Sequence, residues 1–342
     1  MKPLIVLYYH RILPFKGYDI DVETFEWQLS FLRKHFDVVG PEVLFDLKKG
    51  FRLKKTSVLL TFDDGFLDNF VYAYPILEEF GFKALLFVIT SKITHRKPLK
   101  TVKDSQGAFV PKREETALYD SLNGDKSEFL SWKELKILSD SGVFSIGSHS
   151  DSHVKVFIGD RAKAIWHDNT SAHWSYEYAL GRKAKEGYPI FEMRSSLGGR
   201  RFYPSDEFIG KVRDLYLKYG DEKRVLDEVN SIKDKGYFES KDEFKYRVRA
   251  DLEKSKLAIK ENLGINTPFF SFPWGEYCKE SVDIAKDLGF EFCFTTKKSA
   301  FFGNDFLKIG RINVSKDKNR FKRKLLSNKN PLVARMYALW HA

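Results

Sequence analysis

Two acids and two histidines in this chain have the types and spacing of a metal site. Thr61-Phe62-Asp63-Asp64-Gly65 closes one apolar run, and His149-Ser-Asp-Ser-His153 closes another. Adjacent carboxylates at a strand end are costly unless a cation sits against them. Two histidines four apart can converge on one metal ion. Two His and one carboxylate form a facial ligand set that leaves positions open for water and substrate. The spare carboxylate is then available as a base. Gly65 permits the turn that brings both acids into one pocket. Taken singly, each motif has a plainer explanation, as a solvated acidic turn or as hydrogen-bonded structural histidines.

Two further motifs end apolar runs. Tyr8-Tyr9-His10-Arg11 puts a histidine at the end of the first run, and Ser271-Phe272-Pro273-Trp274-Gly275 brackets an aromatic between Pro and Gly. Alone, these read equally well as a hydrogen-bonded histidine and an ordinary turn with a packed Trp.

Something must hold all four motifs on one rim. Seven strand patterns are expected: Leu4–Tyr9, Ser57–Phe62, Ala84–Ile89, Val143–Ser148, Phe269–Phe272, Glu291–Thr295 and Leu307–Val314. They alternate with amphipathic helix patterns, as in a parallel α/β sheet or barrel, where sites form at the C-terminal strand ends. Asp21 caps a helix with apolar face Val22, Phe25, Leu29, Leu32 and Phe36, and Ser131 with Glu134 makes a capping box. Asp242–Leu263 reads as a long helix and 91–128 as a long loop. The stretch 155–241 reads as a mostly helical insertion or cap within a 1–315 body.

With 43% hydrophobic and 15% aromatic residues, the 342-residue chain has material for a large core and is not a disordered protein. Two cysteines, Cys278 and Cys293, exclude a disulfide scaffold and a cysteine-ligated metal. No apolar run approaches the ~18 residues that span a bilayer. Met-Lys-Pro leads straight into a strand pattern without a small-residue cleavage site, so a cytoplasmic location is expected. The formal charge is +11, of which the tail 316–342 holds +7, from eight Lys or Arg against Asp317. The body is nearly balanced. With no recognition motif visible, nucleic-acid binding ranks last among the function classes.

Taken in order, these residues resemble the polysaccharide deacetylase family (carbohydrate esterase family 4, the NodB homology domain). The resemblance covers Pro3–Ile93, Phe129–Val154 and about Lys241–Val314. It implies a distorted (β/α)7 barrel, in keeping with the seven strand patterns. It implies Asp63 as general base, and Asp64, His149 and His153 as ligands of a divalent metal, Zn2+ by default. Trp274, after Pro273, matches the aromatic whose backbone N–H holds the oxyanion. Tyr8-Tyr9-His10 is similar to the N-terminal Tyr-His of the poly-N-acetylglucosamine deacetylase-like subgroup. That makes His10 the candidate general acid and places Tyr9 beside the substrate. Two departures stand out: Ser271 replaces the usual base-orienting Arg, and the strand around Arg311 lacks the usual late His. Arg311 is a candidate for the missing charge near Asp63, and is grouped with Trp274, Pro273 and Tyr9 as a substrate-side residue.

The implied substrate is an N-acetylated glycan or a lipid-linked sugar. Rival readings are hydrolysis of formylated or non-sugar amides on the same barrel, and an inactive sugar-binding module. The tail mixes basic residues with Phe321, Leu325, Leu326, Leu332, Val333, Met336, Tyr337, Leu339 and Trp340. Such a segment either lies on an anionic membrane surface, here the inner face, or packs on the barrel.

Overall fold

Seven strands line up in parallel in the spatial order Phe292–Phe294, Phe269–Ser271, Phe144–Ser148, Ala84–Val88, Ser57–Phe62, Leu4–Tyr9 and Ile312–Asn313. They form the curled sheet of a distorted (β/α)7 barrel. An eighth strand, Asp37–Val39, pairs with the first half of Ser57–Phe62. The computed structural model describes residues 2–104 and 109–340. The chain divides into two units, one of Met1–Ser152, Asp251–Gly275 and Ala285–Ala342, the other of His153–Ala250 and Glu276–Ile284.

Side chains alternate along a strand, so each barrel strand feeds two layers. Leu4 and Val6 join Leu59, Leu85, Phe87, Phe269, Phe292 and Phe294 in one buried cluster. Ile5, Leu7 and Tyr9 join Val58, Leu60 and Phe62 in another, under the helix Val22–His35 through Phe25, Leu29 and Leu32. We read the first cluster as the bore and the second as the layer beneath the helices. The next bore positions along these strands are Tyr8, Thr61 and Ser271. The bore is therefore apolar at its base and polar at its C-terminal rim.

The seventh expected strand differs from its pattern. Instead of running through 307–314, it divides its pairing. Ile309 bridges to Phe294, while Ile312 and Asn313 pair with Leu7 and Tyr8. Gly310 and Arg311 lie between the two. A Cβ on Gly310 would meet Ser299 Oγ at 2.2 Å and the Lys297 carbonyl at 2.6 Å, so only glycine lets that loop cross.

The helices start where their caps direct. Asp21 accepts from Thr24 N at 3.0 Å, and the Ser131–Glu134 capping box is formed. The stretch expected as a loop over 91–128 carries a helix, Glu114–Leu122. The helix Lys241–Leu263 agrees with its pattern to one residue.

The second unit is a mixed α+β structure. Its helices are Tyr176–Leu180 and Glu222–Asn230, both shorter than the expected Tyr176–Glu186 and Asp221–Lys235, and Asp206–Tyr219, which matches its pattern. It also has an antiparallel pair, Lys155–Ile165 with Pro189–Ser195, and a shorter one, Phe202–Pro204 with Gly236–Phe238. The mostly helical expectation missed these strands because charged residues interrupt their alternation. Their core is Phe157, Tyr176, Phe191, Phe202 and Phe208.

The C-terminal residues form the helices Lys318–Lys329 and Pro331–Trp340. Phe321 packs 6.0 Å from both Trp27 and Phe31, and Leu325 is buried beside it. Phe321, Leu325 and Ala334 of the tail thus belong to the barrel core. Leu332 and Met336 stay 71% and 69% exposed. The side chains of Tyr337, Leu339 and Trp340 lie outside the described residues. Among the described residues, no helix is long and apolar enough to cross a membrane.

Candidate active site

The strand ends bring the expected ligands together. One donor atom each from Asp64, His149 and His153 lies within 4.8 Å of the others, and all three side chains are buried. His149 Nδ1 lies 2.8 Å from the Ser271 carbonyl oxygen. A carbonyl only accepts, so Nδ1 carries the proton and Nε2 keeps its lone pair. That lone pair sits 3.5 Å from Asp64 Oδ1 and 3.9 Å from Asp63 Oδ2. Burial holds the His149 imidazole neutral, with its pKa pushed down to about 4. A neutral imidazole facing carboxylates, its other nitrogen fixed by a backbone carbonyl, is the arrangement of a metal-ligating histidine. The donor set therefore fits a divalent ion.

Backbone strain concentrates here. Among the described residues, the non-glycine positions with positive φ are Asp64 (72°), Ser150 (65°), His153 (46°) and Trp274 (56°). All four fall in the three strand-end motifs, where tertiary structure must offset a conformation costing about 1–3 kcal/mol each. The turn after Asp63 is made by Asp64 itself together with Gly65 (φ 78°). The loop between the histidines is tied down by Asp251, which accepts from Asp151 N, Ser152 N and Ser152 Oγ.

Asp63 faces Arg311. Both guanidinium Nη atoms donate to its carboxylate, at 2.7 and 2.8 Å. Arg311 is 0% exposed and also donates to Thr61 Oγ1, Ser271 Oγ and the Thr295 carbonyl. Burial, the largest single effect, raises the Asp63 pKa, but the Arg311 charge and hydrogen bonds together with the neighbouring histidines outweigh it and hold the carboxylate below its ordinary range. Arg311 therefore has no face left for substrate. It is a positioning residue for Asp63, not the substrate contact grouped with Trp274.

His10 reaches the same rim. Its ring, Asp64 and Glu114 each place a donor within 4.8 Å of the others. Burial would lower the His10 pKa, yet Glu114, then Asp64, Asp63 and Asp19, push it up to about 9. Glu114 was invisible in the sequence because its helix was read as loop. Tyr9 is placed differently from expectation. It is 1% exposed, stacks 5.1 Å from Phe62 and donates its hydroxyl to Gln28. Strand alternation turns Tyr9 into the layer beneath the helices and leaves Tyr8 and His10 facing the bore. The Tyr8 ring, 4.9 Å from the Arg311 guanidinium, lines the site instead.

Residues 52–186 match the family model of the polysaccharide deacetylase. The chain is 33% identical over 98 residues to the putative polysaccharide deacetylase YxkH of Bacillus subtilis (strain 168), over 28% of this chain and 35% of that protein. The segment matched by the family model takes in Asp63, Asp64, His149 and His153, so the likeness to the polysaccharide deacetylase family falls on the candidate site. The match to YxkH takes in about a third of that curated relative's length. Two solved structures share the fold. A de-N-acetylase from Aggregatibacter actinomycetemcomitans superposes with TM-score 0.60 at 18% identity, over 94% of this chain and 99% of that one. IcaB from Ammonifex degensii superposes with TM-score 0.56 at 20% identity, over 96% and 98%.

The departures from the family pattern at Ser271 and at the last strand have one physical account. The cation expected at position 271 comes from Arg311, and the small Ser271 side chain leaves it room. Pro273 is buried, and Trp274 tops a tight turn whose carbonyl accepts from Thr296 Oγ1 at 2.9 Å. Gly275 follows at φ 70°, and a Cβ there would lie 2.2 Å from Thr296 Oγ1.

Proposed function

We propose that this chain is a metal-dependent hydrolase that removes N-acetyl groups from amino sugars of a polysaccharide or a lipid-linked glycan precursor. Within the family it is read as closest to the poly-N-acetylglucosamine deacetylase-like subgroup. The observation that carries this reading is the pairing of roles on adjacent residues. Asp63 is held ionised by Arg311, while Asp64 joins His149 and His153 in a donor set of metal-site dimensions.

In this reading Asp64, His149 and His153 hold the ion, Zn2+ on this donor set. When bound, it supplies Lewis acidity towards the amide carbonyl and acidifies water. Asp63 accepts the proton of the attacking water, with Arg311 fixing its orientation. His10 delivers a proton to the departing amine, which completes acetate and a free amino sugar. The Trp274 backbone N–H is assigned to the developing oxyanion. The same residues also suit formylated or non-sugar amides, and without the metal they would form an inactive sugar-binding module.

Metal analysis by mass spectrometry on wild type and His149→Ala, paired with acetate release from N-acetylglucosamine oligomers, tests the reading. About one metal per chain, lost in the variant, with acetate released only by wild type, is the expected result. Metal without acetate would redirect the substrate to formylated, lipid-linked or non-sugar amides. No metal in wild type after addition of Zn2+ would overturn the enzyme in favour of the binding module.

We also place the protein in the cytoplasm, in peripheral contact with the inner membrane face through the tail. Exposed Leu332 and Met336 support this. Liposome co-sedimentation that is unchanged by removing residues 330–342 would refute it.

A further inference from the structure

The N-terminal end of the barrel carries a cavity of about 480 Å³ that belongs to no part of the active site. Its walls come from segments that precede strands or end helices. Lys2 precedes the first strand, and Lys54, Lys55 and Thr56 precede Ser57–Phe62. Arg33, Lys34 and His35 form the last turn of the helix Val22–His35, and Lys329 ends Lys318–Lys329. Asp63 lies at the other end of Ser57–Phe62, about 20 Å away at ~3.3 Å per residue.

The charge of this cavity is one-sided. Six Lys or Arg and His35 face a single acid, Asp37, which accepts from Ser57 Oγ. Among the described residues, none of the six cations is ion-paired to a carboxylate. Arg33 donates to the Phe80 carbonyl and lies over the Phe80 ring, and Lys329 donates to the His35 carbonyl.

Helix dipoles explain part of this. Cations in the last turn of a helix are favoured by its negative end, which accounts for Arg33, Lys34, His35 and Lys329. Lys2 precedes a strand and Lys54 and Lys55 lie in a bend, so none of the three sits at a helix end with such a dipole. Their convergence on the same cavity adds self-repulsion that a bound anion would relieve. The body of the chain is otherwise nearly balanced in charge, so this is a local concentration, not a general excess.

We propose that this cavity is a binding site for a phosphoryl-type polyanion, held by Lys54, Lys55, Lys329 and Arg33, with Thr56, whose hydroxyl donates to the Lys329 carbonyl, in its lining. The volume accepts a small ligand with more than one phosphoryl group. Arg33 supplies a planar fork and the lysines supply mobile point charges, the usual pairing for phosphoryl oxygens. Two sources share this chemistry, the headgroup of an anionic lipid and a soluble phosphorylated molecule. The site is independent of the deacetylase reading.

The test is calorimetric titration of the full chain with inorganic pyrophosphate, beside co-sedimentation with phosphatidylcholine vesicles with and without phosphatidylglycerol. A K54Q/K55Q/K329Q variant and a second, K2Q/K34Q, are compared with wild type by circular dichroism and melting temperature to establish folding. The expected result is pyrophosphate or vesicle binding that weakens with salt and falls at least tenfold in the triple variant, while acetate release is unchanged. Because pyrophosphate could also contact a metal at the opposite rim, His149→Ala is titrated in parallel and should bind as wild type does. Binding of pyrophosphate alone identifies a soluble ligand. Anionic vesicle binding that pyrophosphate competes away identifies a headgroup. Equal binding by wild type and both cavity variants, or binding of none of the probes, overturns the proposal.

Discussion

Ser271 Oγ accepts from Arg311 Nη2 at 2.8 Å, while the same guanidinium grips the Asp63 carboxylate. The residue that replaces a base-orienting arginine has become the seat for an arginine from elsewhere in the chain. Arg311→Lys keeps the charge but loses the bidentate fork. We expect kcat to fall by ~10²-fold, as for a misplaced catalytic group, with metal content unchanged. Arg311→Met leaves a buried carboxylate unpaired and should cost about 3–5 kcal/mol of stability, read by denaturant unfolding. A variant with wild-type kcat would separate Arg311 from the chemistry.

The ligand and base roles of the adjacent acids can be split. Asp64→Asn should lose metal and activity together. Asp63→Asn should keep its metal and lose ~10²- to 10⁴-fold in kcat, the usual contribution of a general base. Metal analysis and acetate release on both variants decide this. If Asp63→Asn retains full activity, another group is the base.

Glu114 should set the alkaline limb of the pH–rate profile. His10 acts as an acid only while protonated, so activity falls as pH rises through its pKa, which Glu114, Asp64, Asp63 and Asp19 push up to about 9. Glu114→Gln removes the largest of the raising charges. The limb in kcat/KM should move to lower pH while the acidic limb stays in place. An unmoved alkaline limb would assign the acid to another group.

Gly275→Ala should destabilise the fold. The new Cβ would lie 2.2 Å from Thr296 Oγ1 and 2.3 Å from Thr296 N, at a backbone φ of 70°. We expect about 1–3 kcal/mol, read as a lowered melting temperature. Because Thr296 Oγ1 also holds the Trp274 carbonyl, acetate release should fall as well. Unchanged values of both would mean the turn can move aside.

What was legible in the sequence follows from distance along the chain. Asp64, His149 and His153 lie in two short motifs at strand ends, and the resemblance to the family assigned them together as ligands. Arg311 lies 248 residues from Asp63, and its pairing depends on which strands become neighbours. Glu114 was hidden because polar residues around Pro98, Gly107 and Pro111 masked the start of a helix. Tyr9 was misplaced for a different reason. Motif likeness ignores alternation, and one step along the strand exchanges the bore for the layer beneath the helices. The β pairs of the second unit were missed because their strands carry charges on exposed positions, so neither period stood out.

The last segment joins two edges of the sheet, with Ile309 bonded to one strand, Ile312 to another, and Arg311 between them. Closure of the ring and the pairing of Arg311 with Asp63, the proposed base, are therefore one event. A chain ending before Gly310 would still contain every proposed metal ligand, but Asp63 would lose the guanidinium paired with it in a low-dielectric bore. Catalytic competence then belongs to the sealed ring, and the final strand acts as its clasp.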